Sequence, residues 1–274
     1  MTRLPVIFFG HGSPMIALET NDTTRSWAAT AAHIERDYGR PRAILCISAH
    51  WITQGTAVTA MAAPQTIHDF GAFPQALFDV QYPAAGDPVL AARVRDLLAP
   101  LPVTLDQGQG DAAWGLDHGT WSVLCKAYPQ ADIPVVQLSM DGTRGPDFHY
   151  EIGQRLRPLR DEGILIVGTG NIVHNLPRMD FRNRNAIPYD WATRFNDHIR
   201  SAILANRPEG AIAFAAMGRD AAESVPTPDH YWPLLYVLGA RDNGDMPMFG
   251  PDHIEHGSLS MTSVMLAPAI PVAA

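Results

Sequence analysis

Short runs of apolar, β-branched residues alternate along this chain with longer amphipathic stretches, and nothing else in the sequence constrains the fold as tightly. Candidate strands are Val6–Phe9, Ala43–Ser48, Thr56–Ala60, Val135–Leu138, Ile164–Val167 and Leu259–Leu266. Candidate helices are Thr23–Tyr38, Pro88–Leu98, Thr120–Tyr128, Phe148–Arg160, Tyr189–Asn206 and Pro228–Leu238. The Asp87-Pro88 pair is a helix start signal, because Asp can cap and Pro is tolerated at the first helical position. The pattern predicts an α/β fold, one domain over residues 1–274, with a central mostly parallel or mixed sheet flanked by helices.

A chain of 274 residues, 46% of them hydrophobic, buries enough surface to need no disulfide framework. Its formal net charge of −8 excludes a generic nucleic-acid or acidic-membrane binder, which needs a clustered basic face. Two distant cysteines, Cys46 and Cys125, form neither a metal pair nor a disulfide pattern and read as plain thiols of a reducing cytoplasm. The N-terminal apolar run Val6–Phe9 is too short for a signal peptide, and no stretch approaches the ~18 apolar residues of a membrane span. The expectation is a soluble cytoplasmic protein. No repeat or low-complexity tract divides the chain. Two connections, Met61 to Pro88 and Leu105 to Gly119, are longer than usual and are candidates for the mouth of a site.

The sequence holds 11 histidines, and their positions matter more than their number. His11 follows the first strand in Gly10-His11-Gly12-Ser13-Pro14, His50 ends the second in Ser48-Ala49-His50-Trp51, and His174 follows another in Gly168-Thr169-Gly170-Asn171-Ile172-Val173-His174. Ligands of open α/β sheets bind beyond the carboxyl ends of the strands, so three imidazoles delivered there can converge. Singly, each reads as a capping or loop residue. Together they fit a metal site, since neutral imidazole suits iron, zinc and copper. His118 and His230 are further candidates. The Asp before each, Asp117 and Asp229, reads as a helix cap rather than a partner of its neighbour. His33, His149 and His198 read as surface or satisfied helix residues, His253 and His256 as a solvated pair, and His68 is undecided.

Several chemistries are absent from the sequence. It has no His-Glu-x-x-His, no Gly-x-Ser-x-Gly and no phosphate loop ending in Gly-Lys-Ser/Thr, and Gly168-Thr169-Gly170-Asn171 lacks the third glycine of a dinucleotide fingerprint.

Six motifs in order do match a family. Gly10-His11-Gly12-Ser13-Pro14, Ser48-Ala49-His50-Trp51, Gly115-Leu116-Asp117-His118-Gly119, Gly168-Thr169-Gly170-Asn171 with His174-Asn175, Pro228-Asp229-His230-Tyr231 and Gly257-Ser258-Leu259-Ser260-Met261 span nearly the whole chain. Together they resemble the DOPA-dioxygenase-type branch of the class III extradiol ring-cleaving dioxygenases. The resemblance implies a non-haem metal at the sheet edge and cleavage of a catechol, DOPA or a related aromatic, beside its two hydroxyls with O2. It implies His11, His50 and His230 as metal ligands, with His174 and His118 as acid/base and oxygen- or substrate-orienting groups. It also implies that His174 can reach the metal in zinc-loaded members, so His174 carries both roles. Fe(II) is the implied cofactor for activity, with Zn(II) able to occupy the site as isolated.

In the protocatechuate branch the third ligand is a glutamate; here His230 stands at the matching position. Three neutral ligands leave the site more positive and make zinc occupancy easier. Trp51, Phe70, Phe73 and Tyr231 are candidate ring-facing walls, and Arg178, Arg182 and Arg184 either meet a substrate carboxylate or form a solvated loop. Two other functions use the same residues: a zinc hydrolase, which lacks a carboxylate base with recognisable spacing, and a non-catalytic metal-binding member of the fold.

Overall fold

The computed structural model describes residues 2–110 and 113–269. Among these residues ten strands form in chain order: β1 (Val6–Gly10), β2 (Ala43–Thr53), β3 (Thr56–Thr59), β4 (Val103–Asp106), β5 (Val135–Asp141), β6 (Ile164–Gly170), β7 (Met246–Phe249), β8 (Ile254–Glu255), β9 (Leu259–Ser260) and β10 (Val264–Ala267). Eight of them make one sheet in the order β4-β3-β5-β2-β6-β1-β10-β7, and β8 and β9 pair separately. The central four, β5-β2-β6-β1, run parallel, while β10 and β7 add antiparallel strands at one side and β3 joins β5 antiparallel at the other. The sheet is mixed around a parallel centre, as the sequence predicts.

Among the described residues nine α-helices accompany the strands: α1 (Asp22–Asp37), α2 (Gln75–Phe78), α3 (Pro88–Leu98), α4 (His118–Ala127), α5 (Pro146–Leu156), α6 (Asp190–Leu204), α7 (Pro208–Ile212), α8 (Arg219–Ser224) and α9 (Trp232–Gly239). Alternate residues of each central strand face opposite sides, so the core divides in two. Phe8, Leu45, Ile47 and Ile166 pack with α3, α5, α6 and α9 on one face. Ile7, Phe9, Cys46 and Val167 pack with α1 and α4 on the other. No helix among the described residues is long and apolar enough to cross a membrane.

Local chemistry starts the helices where expected. Asp87 Oδ1 accepts from Leu90 N at 2.9 Å with Pro88 in the first turn, and Asn21 and Thr24 form a reciprocal capping box on α1. Three segments depart from expectation. The predicted strand Leu259–Leu266 is two strands in different sheets. Residues 261–263 cross the end of β1 so closely that a Cβ on Gly10 would lie 2.6 Å from the Met261 carbonyl carbon, and Ser263 Oγ accepts from Gly10 N at 3.0 Å. The predicted helix at Pro228 begins at Trp232, because Pro228–Tyr231 close a turn with Tyr231 N donating to Pro228 O at 3.0 Å. The predicted helix Phe148–Arg160 is α5 followed by a 3-10 segment, Arg157–Glu162.

Two buried polar groups anchor the core. Arg160, fully buried, donates to Asp245 from Nη1 at 2.6 Å and from Nη2 at 3.0 Å. His149 lies against Trp232, ring centroids 4.1 Å apart, with Nδ1 3.0 Å from the Tyr236 hydroxyl. Burial pushes the His149 imidazole down to about 4. Its Nδ1 is satisfied within the core, while its buried Nε2 has no hydrogen-bond partner among the described residues.

Candidate metal centre and active site

The carboxyl ends of β1, β2 and β6 open into one cavity of about 370 Å3, lined by His11, His50, His118, His174 and His230. His11 directly follows β1, with its N–H on Gly170 O at 3.0 Å. His50 lies where the pairing of β2 with β5 shifts register between Ile47 and Ile52, an irregularity of the kind that re-aims a side chain. His118 opens α4, which Asp117 caps by accepting from Thr120 N at 3.0 Å. His230 sits in the turn before α9, and His174 lies four residues past β6.

Small residues allow this convergence. A Cβ on Gly170 would lie 2.1 Å from the His230 carbonyl oxygen, and one on Gly119 would lie 2.4 Å from Ser48 Oγ and 2.7 Å from His50 Cδ2. Asn171 clips the segments together, receiving nothing but giving its amide to the carbonyls of His11 and, at 2.8 Å, Ser260.

The donor atoms fit one divalent ion. His11, His50 and His230 each offer a nitrogen within 4.8 Å of the others, and the Nε2 atoms of His11 and His50 stand 3.3 Å apart. Two nitrogens about 2.0–2.1 Å from a shared ion are separated by about 3.0–3.4 Å at octahedral to tetrahedral angles, so this spacing is that of co-ligands. Burial, reinforced by the other imidazoles, holds His11 and His50 well below the usual histidine range, so both are neutral and able to bind metal at pH 7.

Two carboxylates stand behind the imidazoles, and neither role was legible in advance. Asp229 bonds Nδ1 of His230, its immediate neighbour, instead of capping a helix. The two lie in a turn, where adjacent side chains can meet as they cannot on a helix. Burial opposes the charge of Asp229, but the contact with His230 outweighs it and keeps the carboxyl far below its ordinary range. Asp69, from the first long connection, lies 2.9 Å from His118 Nδ1 and accepts from His118 N at 2.9 Å. The His68-Asp69-Phe70-Gly71 segment in a long loop was its only sequence signal. A carboxylate on the outer nitrogen of an imidazole fixes the ring and its tautomer.

His174 stacks on His230 with centroids 3.5 Å apart and planes 3° from parallel. Burial, and then the neighbouring His230, push it down to about 3, against the opposing pull of Asp229. His118 lies 3.8 Å from His50 by ring centroids. Its Nδ1 lies beside Asp69, and the ring lines the cavity.

Of the four aromatic walls expected, Phe73 alone lines the cavity. Trp51 stacks on Trp114, Phe70 packs edge-on behind His118 at 5.4 Å, and the buried Tyr231 gives its hydroxyl to Ala211 O at 2.8 Å. His68 bonds Val80 O at 3.0 Å and is structural. The His253–His256 segment is less solvated than expected, since buried Glu255 takes His253 Nε2 at 3.1 Å and Arg184 Nε at 2.9 Å.

A family model described as the catalytic LigB subunit of aromatic ring-opening dioxygenase matches residues 5–266. The chain is 49% identical over 267 residues, 97% of its length and 95% of the relative's, to an Escherichia coli K12 protein named 4,5-DOPA dioxygenase extradiol. It is 35% identical over 240 residues, 85% of each chain, to a Beta vulgaris protein of the same name. A crystal structure of an uncharacterized Escherichia coli K12 protein superposes with a TM-score of 0.82 at 44% identity, over 97% of this chain and 100% of that one. With a histidine-lined, metal-competent cavity at the sheet edge and matches along nearly its whole length, the chain belongs to the LigB family of aromatic ring-opening dioxygenases and is an enzyme of the extradiol type.

Proposed function

We propose that residues 1–274 act as one catalytic domain that opens the ring of a catechol with O2, using Fe(II) held by His11, His50 and His230. The observation that carries this reading is a cavity with five imidazoles, two more than a three-ligand site needs. Iron, when bound, supplies the redox path by which triplet O2 reacts with a closed-shell aromatic. The chain's own groups do the rest.

His174 is neutral at pH 7 and stands beside His230, placed to take the proton of a catechol hydroxyl. The anionic substrate then offsets the burial that disfavours its charged form. His118, oriented by Asp69, presents Nε2 to the second hydroxyl or to oxygen. The apolar wall excludes water while the ring opens. Zn(II) fits the same nitrogens, with His174 within reach as a further ligand, but has no second oxidation state to offer. O2 and a small aromatic are the partners, a net charge of −8 gives nucleic acid no basic face, and the two free thiols suit a cytoplasmic setting.

The test is anaerobic reconstitution with Fe(II), then O2 and catechol or DOPA, with a zinc-loaded sample alongside. A yellow ring-opened product with about one O2 consumed per substrate, in the iron sample only, is the expected result. His174→Ala should lose turnover while keeping metal, whereas His11→Ala and His50→Ala should lose the metal itself. Full metal content in both of the latter refutes the ligand assignment. O2-independent turnover by the zinc form would replace ring opening with metal-assisted hydrolysis.

A further inference from the structure

Most arginines of this chain pair with a carboxylate, and five form no ion pair with a described residue: Arg144, Arg157, Arg182, Arg207 and Arg241. Three of them, Arg157, Arg207 and Arg241, line one cavity of about 390 Å3 that shares no residue with the histidine cavity. Arg157 opens the 3-10 segment that precedes β6, Arg207 links α6 to α7, and Arg241 follows α9. Helix α9 begins two residues after His230 and runs for 8 residues, about 12 Å, which carries the chain from the histidines to this second cavity.

Arg241 Nη1 donates to Ile203 O at 2.7 Å and its Nη2 to Asp245 O at 2.9 Å, while Arg157 Nη2 donates to Gly239 O at 3.1 Å. Two of these bonds cap the carboxyl ends of α6 and α9. All three acceptors are neutral carbonyls, so they fix the guanidinium groups without balancing their charge. The Nε atoms of Arg157 and Arg241 are buried and have no acceptor among the described residues. Burial pulls Arg241 below its ordinary range, against the opposing effect of Asp245. Two carboxylates share the wall. Asp242 is engaged by Arg3, and Glu209 is exposed and forms no ion pair with the three arginines.

One carboxylate matches a single guanidinium fork, whereas the outer oxygens of a phosphate monoester, largely a dianion at pH 7.5, can engage several guanidinium groups at once. The rest of the wall is also polar: Gln154, Asn206 and Asn243 bring amides, and Tyr150 and Glu209 bring oxygens that accept from hydroxyls. The volume lies within the range of small-molecule sites.

We propose that this cavity binds the phosphate monoester of a hydroxyl-rich small molecule. The proposal is independent of the ring-opening reading.

The test is calorimetric titration of the metal-loaded full chain at pH 7.5 and low salt with ribose 5-phosphate, inorganic phosphate and ribose. Ribose 5-phosphate should saturate one site per chain, at least ~10-fold tighter than inorganic phosphate, and ribose should give no binding heat. Arg207→Ala, at an exposed position, should weaken ribose 5-phosphate by at least about fivefold, and Arg207→Glu by at least ~30-fold. Arg25→Ala removes the same charge from an exposed arginine on α1 and should leave the affinity within about twofold.

A bound metal also attracts phosphate, but such binding is indifferent to Arg207. Affinity unchanged in both Arg207 variants therefore overturns the proposal, as does ribose 5-phosphate binding weaker than about 10 mM. Ribose binding as tightly as its phosphate would overturn it too. Inorganic phosphate matching ribose 5-phosphate would remove the hydroxyl-rich body from the assignment.

Discussion

Gly170 is the position where the smallest substitution should cost the most activity. Its carbonyl holds the His11 N–H at 3.0 Å, and its α-carbon faces the His230 carbonyl oxygen, which a Cβ would approach to 2.1 Å. Contacts below 3.0 Å essentially do not occur, so Gly170→Ala demands a shift of at least 3.0 − 2.1 = 0.9 Å. The His230 carbonyl cannot yield freely, because Asn171 N donates to it at 2.8 Å. Two of the three proposed ligands therefore move relative to each other. A displacement near 1 Å costs on the order of 100-fold in rate, and overpacking of this kind destabilises by about 1–3 kcal/mol, within what a folded domain tolerates. Gly145→Ala is the matched control, since a Cβ there meets nothing within 4 Å. The assay is kcat of the iron-loaded enzymes, with metal affinity by chelator competition and stability by urea unfolding. A Gly170→Ala enzyme within about threefold of the parent in both kcat and metal affinity would refute the reasoning.

Three other predictions address the supporting structure. Asp229→Asn should weaken metal binding by about 10- to 100-fold while leaving the three imidazoles in place; unchanged affinity in chelator competition would show that the contact does not tune His230. The His149 value of about 4 against 6.5 for the free group means that, as pH falls below about 6.5, the unfolded chain takes up a proton the folded one refuses. Stability from this group is full above that range and should decline by about 2.5 kcal/mol by pH 4.5, so His149→Gln should lose correspondingly less between pH 7.5 and 4.5 in urea titrations, and identical pH dependence would argue against a buried neutral ring. Asp245→Ala leaves the Arg160 guanidinium charged and buried, and unfolding free energy should drop by about 3–5 kcal/mol; a loss under 1 kcal/mol would mean that water reaches the site.

The fold was readable where sequence periodicity and burial coincide. Strands such as Ile164–Val167 and Ala43–Ser48 are runs of apolar residues because helices cover both faces, and the structure extends each by a few residues toward the cavity. Edge strands carry no such run. Val103–Asp106 and Met246–Phe249 are short and half-exposed, and they form through pairing with a neighbour already in place. Four of the five cavity histidines, His11, His50, His118 and His174, were legible from the strand ends and glycine-bearing turns around them, whereas His230 carries no such signal and drew its role from the family resemblance. Asp69 was not, because a loop carboxylate acquires meaning only when the fold brings it 49 residues along the chain to His118. Part of the apolar wall was hidden for the same reason: Leu176, Met179 and Phe181 follow no period, and only the fold brings them to the cavity.

The sheet order has a consequence for how the molecule is made. Strand β1, made before the other strands described, pairs on one side with β6 and on the other with β10. His11 hangs from that strand, so its surroundings are complete only when residues as late as 264–267 have been synthesised. Until then β1 is a long-waiting edge with nothing on its second side, and the ligand-bearing turn after it has no fixed geometry. The nascent chain thus cannot hold a metal at all three proposed nitrogens before His230 and the strand that completes the surroundings of β1 have been made.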